Sequence, residues 1–451
     1  MAYAEKRAST AKGSKGKVSW RCRYKRPDGT FGSETGFPTK KTALAWGEEQ
    51  EAAIRAGRWV DPELQRKTFG AWAREWMKAK PKRGATVDKR WNLLQQHILP
   101  KWEHTPLNGI NWFDVDAWQQ SLLCDEETTA GHCVSLMSSI LTGAVDAQHI
   151  MANPLFGRRR TRATGSAPAA AKPKKAPEEK WATPEVVLQI AERLGPVNGL
   201  HMLTTAFTGL GWGEGAALHR RNTLLLRQQL YDGGVFTCPI IRVDAEVGEL
   251  AEYTGRDADG NRTGLVLQLE PPKNKKRARD IDVPPFLARL LRYHLDDWQY
   301  GQVFCTPNGK LWRRSNFGRS VLRPAADGRD ALPTVKGRRA RPAVPPIMPG
   351  LTVRDLRHTH DTYQDQIGVK PALAFEQAGH ARPGIKAVYQ HPTPAMRQER
   401  LDGLEEIFQR AMRNLGRRTL WGRVDLVKRS TSKDDLPDIS QMITRERGIA
   451  A

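Results

Sequence analysis

Val18, Trp20, Cys22 and Tyr24 alternate with Lys17, Ser19, Arg21, Arg23 and Lys25. A period of two is that of a β-strand, here with one apolar and one largely cationic face. Pro27-Asp28-Gly29 supplies a turn, and Thr30 to Gly36 can return as a further strand. Thr39 then caps a helix predicted over 40–56, with Gly57 as its stop. Beyond residue 67 the period lengthens. Phe69, Trp72 and Trp76 recur at helical spacing, and a second helix is predicted from Thr86 to about His97, ended by Pro100. A third runs from about Phe113 to Leu123. A fourth, over about 131–150, puts Val134, Met137, Leu141 and Val145 on one side and stops at Asn153-Pro154.

Periodicity fails over 157–180, where Gly-Arg-Arg-Arg-Thr-Arg runs into Ala/Pro/Lys-rich sequence that cannot build a core. From Trp181 the pattern is mixed. Thr183-Pro184-Glu185 has the cap, first-turn proline and acid of a helix start. Strand-like sequence fills about 223–283, including Leu265–Leu269 and Ile281–Val283. Helices are expected over Pro285–Asp296, Arg354–Ile367 and Pro394–Leu415. The expectation is an α+β multidomain chain divided at 1–66, 67–157, a basic linker 158–180, 181–415 and a polar tail 416–451. Its parts are a small N-terminal three-stranded sheet plus helix, an all-helical domain, and a mixed, mainly helical domain.

Composition narrows the partner. The 451 residues carry 72 Lys+Arg against 49 Asp+Glu, a formal charge of +23. Residues 1–67 hold 15 Lys/Arg against 8 Asp/Glu. Such an excess favours an anionic partner. No stretch reaches the roughly 18 apolar residues of a membrane span, and the start lacks the apolar core of a secretory signal. Five scattered cysteines without a C-x-x-C pair argue against a disulfide framework or a cysteine-based zinc site. A cytoplasmic, nucleic-acid-associated protein is the expectation. The cationic face of Arg21, Arg23 and Lys25 is either a solvated strand face or a surface that enters a DNA groove.

Four motifs then fall in order. Thr208-Gly209-Leu210-Gly211-Trp212-Gly213-Glu214 comes first, and Pro272-Lys273-Asn274-Lys275 second. Arg354-Asp355-Leu356-Arg357-His358-Thr359 opens a helix. Gly379-His380 lies 23 residues after Arg357, and Tyr389 lies 9 residues further on. Residues 304–317 (F-C-T-P-N-G-K-L-W-R-R-S-N-F) form a further shared segment. This series resembles the T-G-L-R-x-G-E, P-K-T-K, H-x-x-R-H-T and L-G-H motifs and the nucleophilic tyrosine of the tyrosine recombinases, or phage-type integrases. The resemblance covers about 181–410 by motif. By layout it makes 1–66 an arm-type DNA-binding domain, 67–157 a core-DNA-binding domain and 181–415 the catalytic domain.

The resemblance implies a site-specific recombinase of a phage or mobile element. Tyr389 would attack a scissile DNA phosphate, leaving a 3′-phosphotyrosyl link and a free 5′-hydroxyl with no cofactor and no metal. Arg357 would bind the non-bridging oxygens, His380 would add a donor, and Lys273 would protonate the leaving oxygen, with Lys275 beside it. Glu214 and Asp355 would orient the arginines. Tyr363 is a rival nucleophile, although its mid-helix position favours packing. The implied partners are double-stranded attachment sites and further copies of the chain, assembled on DNA as a tetramer in synapsis. The stripe of Leu401, Leu404, Phe408, Ala411, Met412 and Leu415 would either pack on its own domain or dock on a neighbouring protomer.

Two positions depart from the pattern. The first arginine of the family falls at Gly211, and its usual general-base histidine falls at Arg354, which stays protonated near neutral pH. Losing one transition-state donor costs about 2.7–4 kcal/mol. Either Arg354, one helical turn from Arg357, or a cation such as Arg220 or Arg221 replaces it. Otherwise the chain is a catalytically impaired relative that binds DNA without cutting it.

Overall fold

The structure is a computed structural model and describes residues 1–8, 18–79, 83–122, 127–158, 180–231, 234–334, 337, 339–380, 391–422 and 424–426. It divides into two units. One comprises Met1–Ala169 with Thr254–Gly264, the other Ala170–Tyr253 with Leu265–Ala451. Most of the basic linker 158–180, Tyr389 and the tail beyond 426 lie outside the described residues.

In the first unit β1 (Tyr3–Ala8), β2 (Val18–Lys25) and β3 (Phe31–Phe37) form an antiparallel sheet with β2 central. Helix α1 (Lys40–Arg55) packs on it, started by Thr39, whose hydroxyl accepts the Thr42 N–H. Cys22 and Tyr24 are buried beneath this helix. Tyr24 meets Trp46 edge-on at 5.4 Å, and a methyl group on Gly47 would come within 2.5 Å of Cys22 Sγ. Strand alternation therefore turns Arg21, Arg23 and Lys25 to the face away from α1. Val18, at the strand end, is exposed and does not extend the apolar face.

The same unit holds α2 (Phe69–Ala79), α3 (Gly84–Leu93), α4 (Trp112–Ser121) and α5 (Glu127–Asp146). Phe69, Trp91, Leu94, Met137 and Leu141 lie in one core. The expected stop at Pro100 does not occur. A π turn, Leu94–Ile98, carries the backbone into a last helical turn, Leu99–Trp102, with Pro100 near its start. The widened turn shifts the carbonyl that a proline ring would otherwise strike.

In the second unit α6 (Pro184–Thr208) starts at Thr183 and is interrupted at Gly195, whose φ of +76° precedes Pro196. It ends at Gly209, in the left-handed region at φ +71°, where a methyl group would stand 2.6 Å from the His360 ring. After the short α7 (Trp212–Ala217) come β4 (Thr223–Tyr231), β5 (Gly234–Val243), β6 (Glu249–Arg256), β7 (Arg262–Glu270) and β8 (Arg279–Asp282), with the stretch Thr254–Gly264, the end of β6 and the start of β7, counted in the first unit. The sheet order is β4-β5-β8, while β6 and β7 pair only with each other among the described residues. The segment around Lys273 is therefore not the tip of a hairpin. It is a crossover from one sheet to another, and Pro271-Pro272, lacking N–H donors, end β7.

Helices α8 (Pro285–Asp296), α9 (Val353–Gln366), α10 (Pro371–Ala378) and α11 (Pro394–Asn414) complete the mainly helical unit. The stripe on α11 is spent inside this core. Leu404, Phe408 and Met412 are fully buried, and Phe408 stacks on Phe286 at 3.7 Å. Its apolar face is thus not a free docking surface for a neighbouring protomer.

Two histidines sit in this core as neutral groups. His201 stacks on Phe304 at 4.5 Å, and burial pushes its pKa down to about 3. Burial does the same to His360, helped by the charges of Arg400, Arg357 and Arg279. A histidine whose folded pKa lies below the unfolded value of about 6.5 lets the unfolded state bind the proton first, so its stabilising effect fades as pH falls below that value. From pH 7 to pH 5 each should lose about 2 kcal/mol. Urea unfolding over that range checks this, and His201→Phe should lower the pH slope by about one proton.

Candidate active site

Helix α9 begins with a capping box. Asp355 N–H donates to Thr352 Oγ1 at 3.3 Å, and Thr352 N–H donates to Asp355 Oδ2 at 2.8 Å. Asp355 therefore caps the helix and is not a partner of an arginine side chain, as the sequence reading had it. The helix projects Arg357 inward. One guanidinium nitrogen donates to the Ala378 carbonyl at 2.7 Å and stands 3.3 Å from His380 Nε2. The other nitrogen is 3.5 Å from Glu214 Oε2. Burial lowers the Arg357 pKa, with Glu214 opposing the change.

His380 arrives from α10, which ends at Gly379 with φ +66°. A methyl group there would lie 3.0 Å from Arg279 Nη1 and 3.1 Å from Arg277 Cα, so glycine allows the crossover to approach His380. His380 titrates below the usual histidine value. Partial burial is the first cause, followed by the charges of Arg357 and Arg277, and this keeps the ring neutral near pH 7.

Glu214 stands on α7 with its side chain 1% exposed. Its Oε2 accepts the Gly211 N–H at 2.8 Å. Burial opposes its charge. Even so, Arg279, the Gly211 N–H and Arg357 hold the carboxyl below the usual range. Arg279, on β8, meets this carboxylate with both terminal nitrogens, at 2.9 and 3.2 Å. Its Nε donates to the Gln377 carbonyl at 2.6 Å, and Nη1 also donates to the Arg277 carbonyl at 2.8 Å. The result is a buried carboxylate gripped by two arginines, one of which reaches outward to His380.

The structure therefore brings Arg357, His380 and Glu214 together. Arg354 is exposed, with its Nε 3.4 Å from His358 Nε2. Among the described residues no hydrogen bond or ion pair joins it to Glu214, Arg357 or His380. Lys273 is exposed on the crossover, its backbone N–H donating to Glu249 Oε2 at 3.1 Å. Lys275 begins the single 3-10 turn Lys275–Arg277, capped by Asn274. Arg220 is committed elsewhere, to the carbonyls of Trp298 (2.6 Å) and Leu295 (2.9 Å). Tyr389 lies outside the described residues, between His380 and Thr393, the cap of α11. Its rival Tyr363 is fully buried and donates its hydroxyl to the Ala182 carbonyl at 2.9 Å. Burial holds its pKa well above the usual value, so it serves the core and not as a nucleophile.

A second charged cluster fixes α11. Asp282 accepts Arg227 Nε at 2.7 Å, Arg397 Nη1 at 2.9 Å and Arg400 Nη2 at 2.6 Å. Arg400 also donates to Gln377 Oε1 at 2.8 Å, and Gln377 donates to the Thr208 carbonyl at 3.0 Å. Arg277, Arg279, Arg397 and Arg400 were missed as site residues in the sequence. A signal existed for the last two, because positions 397, 400, 401, 404 and 408 share one helical face that the leucines mark as buried.

The chain matches no family model. A Mycobacterium tuberculosis protein named as the integrase of prophage phiRv2 is 24% identical over 383 residues, 82% of this chain and 88% of its own. The integrase of Mycobacterium phage D29 is 21% identical over 80% of this chain and 87% of its own. Among solved structures, the transposon Tn1549 integrase with transposon right end DNA aligns with a TM-score of 0.47 at 14% identity. That alignment covers 74% of this chain and 99% of the other. A lambda integrase tetramer bound to a Holliday junction aligns with a TM-score of 0.42 at 15% identity, covering 80% and 93%. With its four ordered motifs, the chain is thus similar to phage integrases over some four-fifths of its length.

Proposed function

We propose that this protein is a site-specific DNA recombinase, cutting and rejoining attachment sites through Tyr389. The observation that carries the reading is the Arg357 guanidinium. It is held between buried Glu214, the Ala378 carbonyl and neutral His380 where the separate motifs converge. A planar guanidinium so fixed is ready to receive the charge that develops on non-bridging phosphate oxygens.

In the forward step the Tyr389 oxygen bonds to phosphorus and its proton passes to solvent. The bond from phosphorus to the 5′-oxygen breaks, and that oxygen takes a proton from Lys273. The products are a 3′-phosphotyrosyl link and a 5′-hydroxyl. Reversal by a 5′-hydroxyl of another strand rejoins DNA with the phosphodiester energy conserved. The partners are double-stranded attachment sites, with copies of the chain assembling on them. The arm-type domain 1–66, the core-binding domain 67–157 and the catalytic domain 181–415 belong to this same reading. So does a cytoplasmic setting, and among the described residues no helix is long and apolar enough to cross a membrane. No observation favours the DNA-binding-only alternative.

The test uses nicked duplexes tiled across the DNA that flanks the coding sequence. A nick a few nucleotides 3′ of the scissile phosphate lets the short fragment that carries the new 5′-hydroxyl diffuse away and traps the covalent link. The wild-type chain should leave a denaturation-resistant protein–DNA product on at least one tile, and none on any tile overturns the reading. On such a tile, Arg21→Glu with Arg23→Glu should weaken binding and flatten its salt dependence by about one unit per lost phosphate contact. Unchanged affinity and slope would remove β2 from the DNA interface.

A further inference from the structure

Gly211 leaves a definite corner of the site without a side chain. Its backbone (φ −69°, ψ 158°) suits any residue. A methyl group there would lie 3.5 Å from Arg357 Nη1 and 3.5 Å from Glu214 Oε2, ordinary contact distances. A longer side chain at 211 would thus emerge beside the guanidinium assigned to the phosphate. Two arginines lie near that guanidinium instead, Arg277 on the β7–β8 crossover and Arg279 at the start of β8. They differ in what remains of them to offer.

Arg279 is already engaged. Its side chain is 5% exposed, and both terminal nitrogens hold Glu214 while Nε and Nη1 serve carbonyls. Arg277 is not engaged in this way. Its side chain is 24% exposed, and its ion pair to Glu249 is 3.7 Å long, beyond hydrogen-bond reach. A partly exposed pair at that distance is weak and exchanges readily for a better anion. The Arg277 backbone meanwhile lies against Gly379, the residue before His380. It is also tied to the cluster through its own carbonyl, which accepts from Arg279. The Arg277 charge is felt at both His380 and Arg357, whose pKa values it helps to lower.

We infer that Arg277 supplies the second phosphate-facing guanidinium that position 211 lacks, while Arg279 acts as a positioning residue that holds Glu214. The inference rests on the recombinase reading. It makes the crossover a donor of two charges, the Lys273 ammonium for the leaving oxygen and the Arg277 guanidinium for the non-bridging oxygens. A sheet-to-sheet crossover, pinned at β8 by Arg279, can hold both in register with Arg357.

The experiment measures covalent product formation at saturating DNA on a tile that the wild type cleaves, alongside DNA affinity and the thermal midpoint. Arg277→Ala should slow product formation by about 10²–10³-fold, with affinity within about threefold and an unchanged midpoint. Adding Gly211→Arg to Arg277→Ala should restore at least about tenfold of the rate, since a guanidinium then enters from the other side of the same corner. A purely structural role would move the midpoint and would not be rescued from 211. An Arg277→Ala rate within about threefold of wild type overturns the assignment, as does a loss that Gly211→Arg leaves untouched. Absence of product from the wild type on every tile is a different result, because it overturns the recombinase reading itself.

Discussion

On a cleaved tile, Tyr389→Phe is expected to give no covalent product at all, and Arg357→Ala to give it at least about 10³-fold more slowly. In the proposed mechanism the first variant removes the atom that would form the new bond to phosphorus, so nothing downstream could compensate. Tyr363 cannot take over, since its hydroxyl is buried on the Ala182 carbonyl. The second variant removes the donor proposed for the phosphate and also a cation beside buried Glu214. Arg357→Lys should recover little. An ammonium is a point charge and cannot hold the Ala378 carbonyl, approach His380 and face Glu214 with separate nitrogens. The measurement is the single-turnover rate on nicked DNA, with affinity followed in parallel. Product from Tyr389→Phe would reassign the nucleophile, and an Arg357→Ala rate within tenfold of wild type would remove that arginine from the reacting atoms.

Much of this site was legible because its motifs are local. Arg357 and His358 sit on one helix turn, and His380 follows a glycine that ends the next helix, so short spacings carry the geometry. The missing charge at Gly211 could be read directly. What takes its place could not, because Arg277 and Arg279 reach Glu214 and Gly379 only through the pairing of β8 with β5. Sequence proximity favoured Arg354, one turn before Arg357, but the capping box at Thr352 starts the helix so that Arg354 faces solvent. Helical spacing fixes which residues share a face and says nothing about which face the neighbouring strand covers.

The fold shows the same division. Cap residues and period gave the helices from Lys40, Pro184, Pro285, Val353 and Pro394 within a residue or two. Errors arose where tertiary pairing decides. Leu265–Leu269 and Ile281–Val283 both read as strand-like, and the sequence does not show that their strands belong to different sheets. Pro100 reads as a stop, yet a π turn accommodates it. The α11 stripe could have served an internal core or a neighbouring protomer, and only the stacking on Phe286 decides between them.

Asp282→Asn is expected to destabilise the protein by about 3–5 kcal/mol, the usual loss when one partner of a buried ion pair is removed. The substitution keeps shape and deletes charge, leaving Arg227, Arg397 and Arg400 around a neutral amide whose nitrogen is itself a donor. Arg400 is fully buried and has no water to turn to. Burial opposes ionisation of Asp282, and the charges of Arg400, Arg397 and Arg227 outweigh it, so its folded pKa lies below the ordinary value near 3.8. A carboxylate of this kind contributes its full stabilisation above the unfolded pKa and loses it as pH falls through the folded one. The wild type should therefore shed this contribution only below about pH 3.8, whereas the Asn variant lacks it throughout. The network also ties α11, which begins shortly after Tyr389, to β8 and through Gln377 to the end of α6. Product formation should accordingly slow at temperatures where the variant is still folded. Urea unfolding at pH 7 and pH 3 separates the two effects. A loss below about 1 kcal/mol at pH 7 would mean that the arginines find other partners and that the cluster does not hold α11.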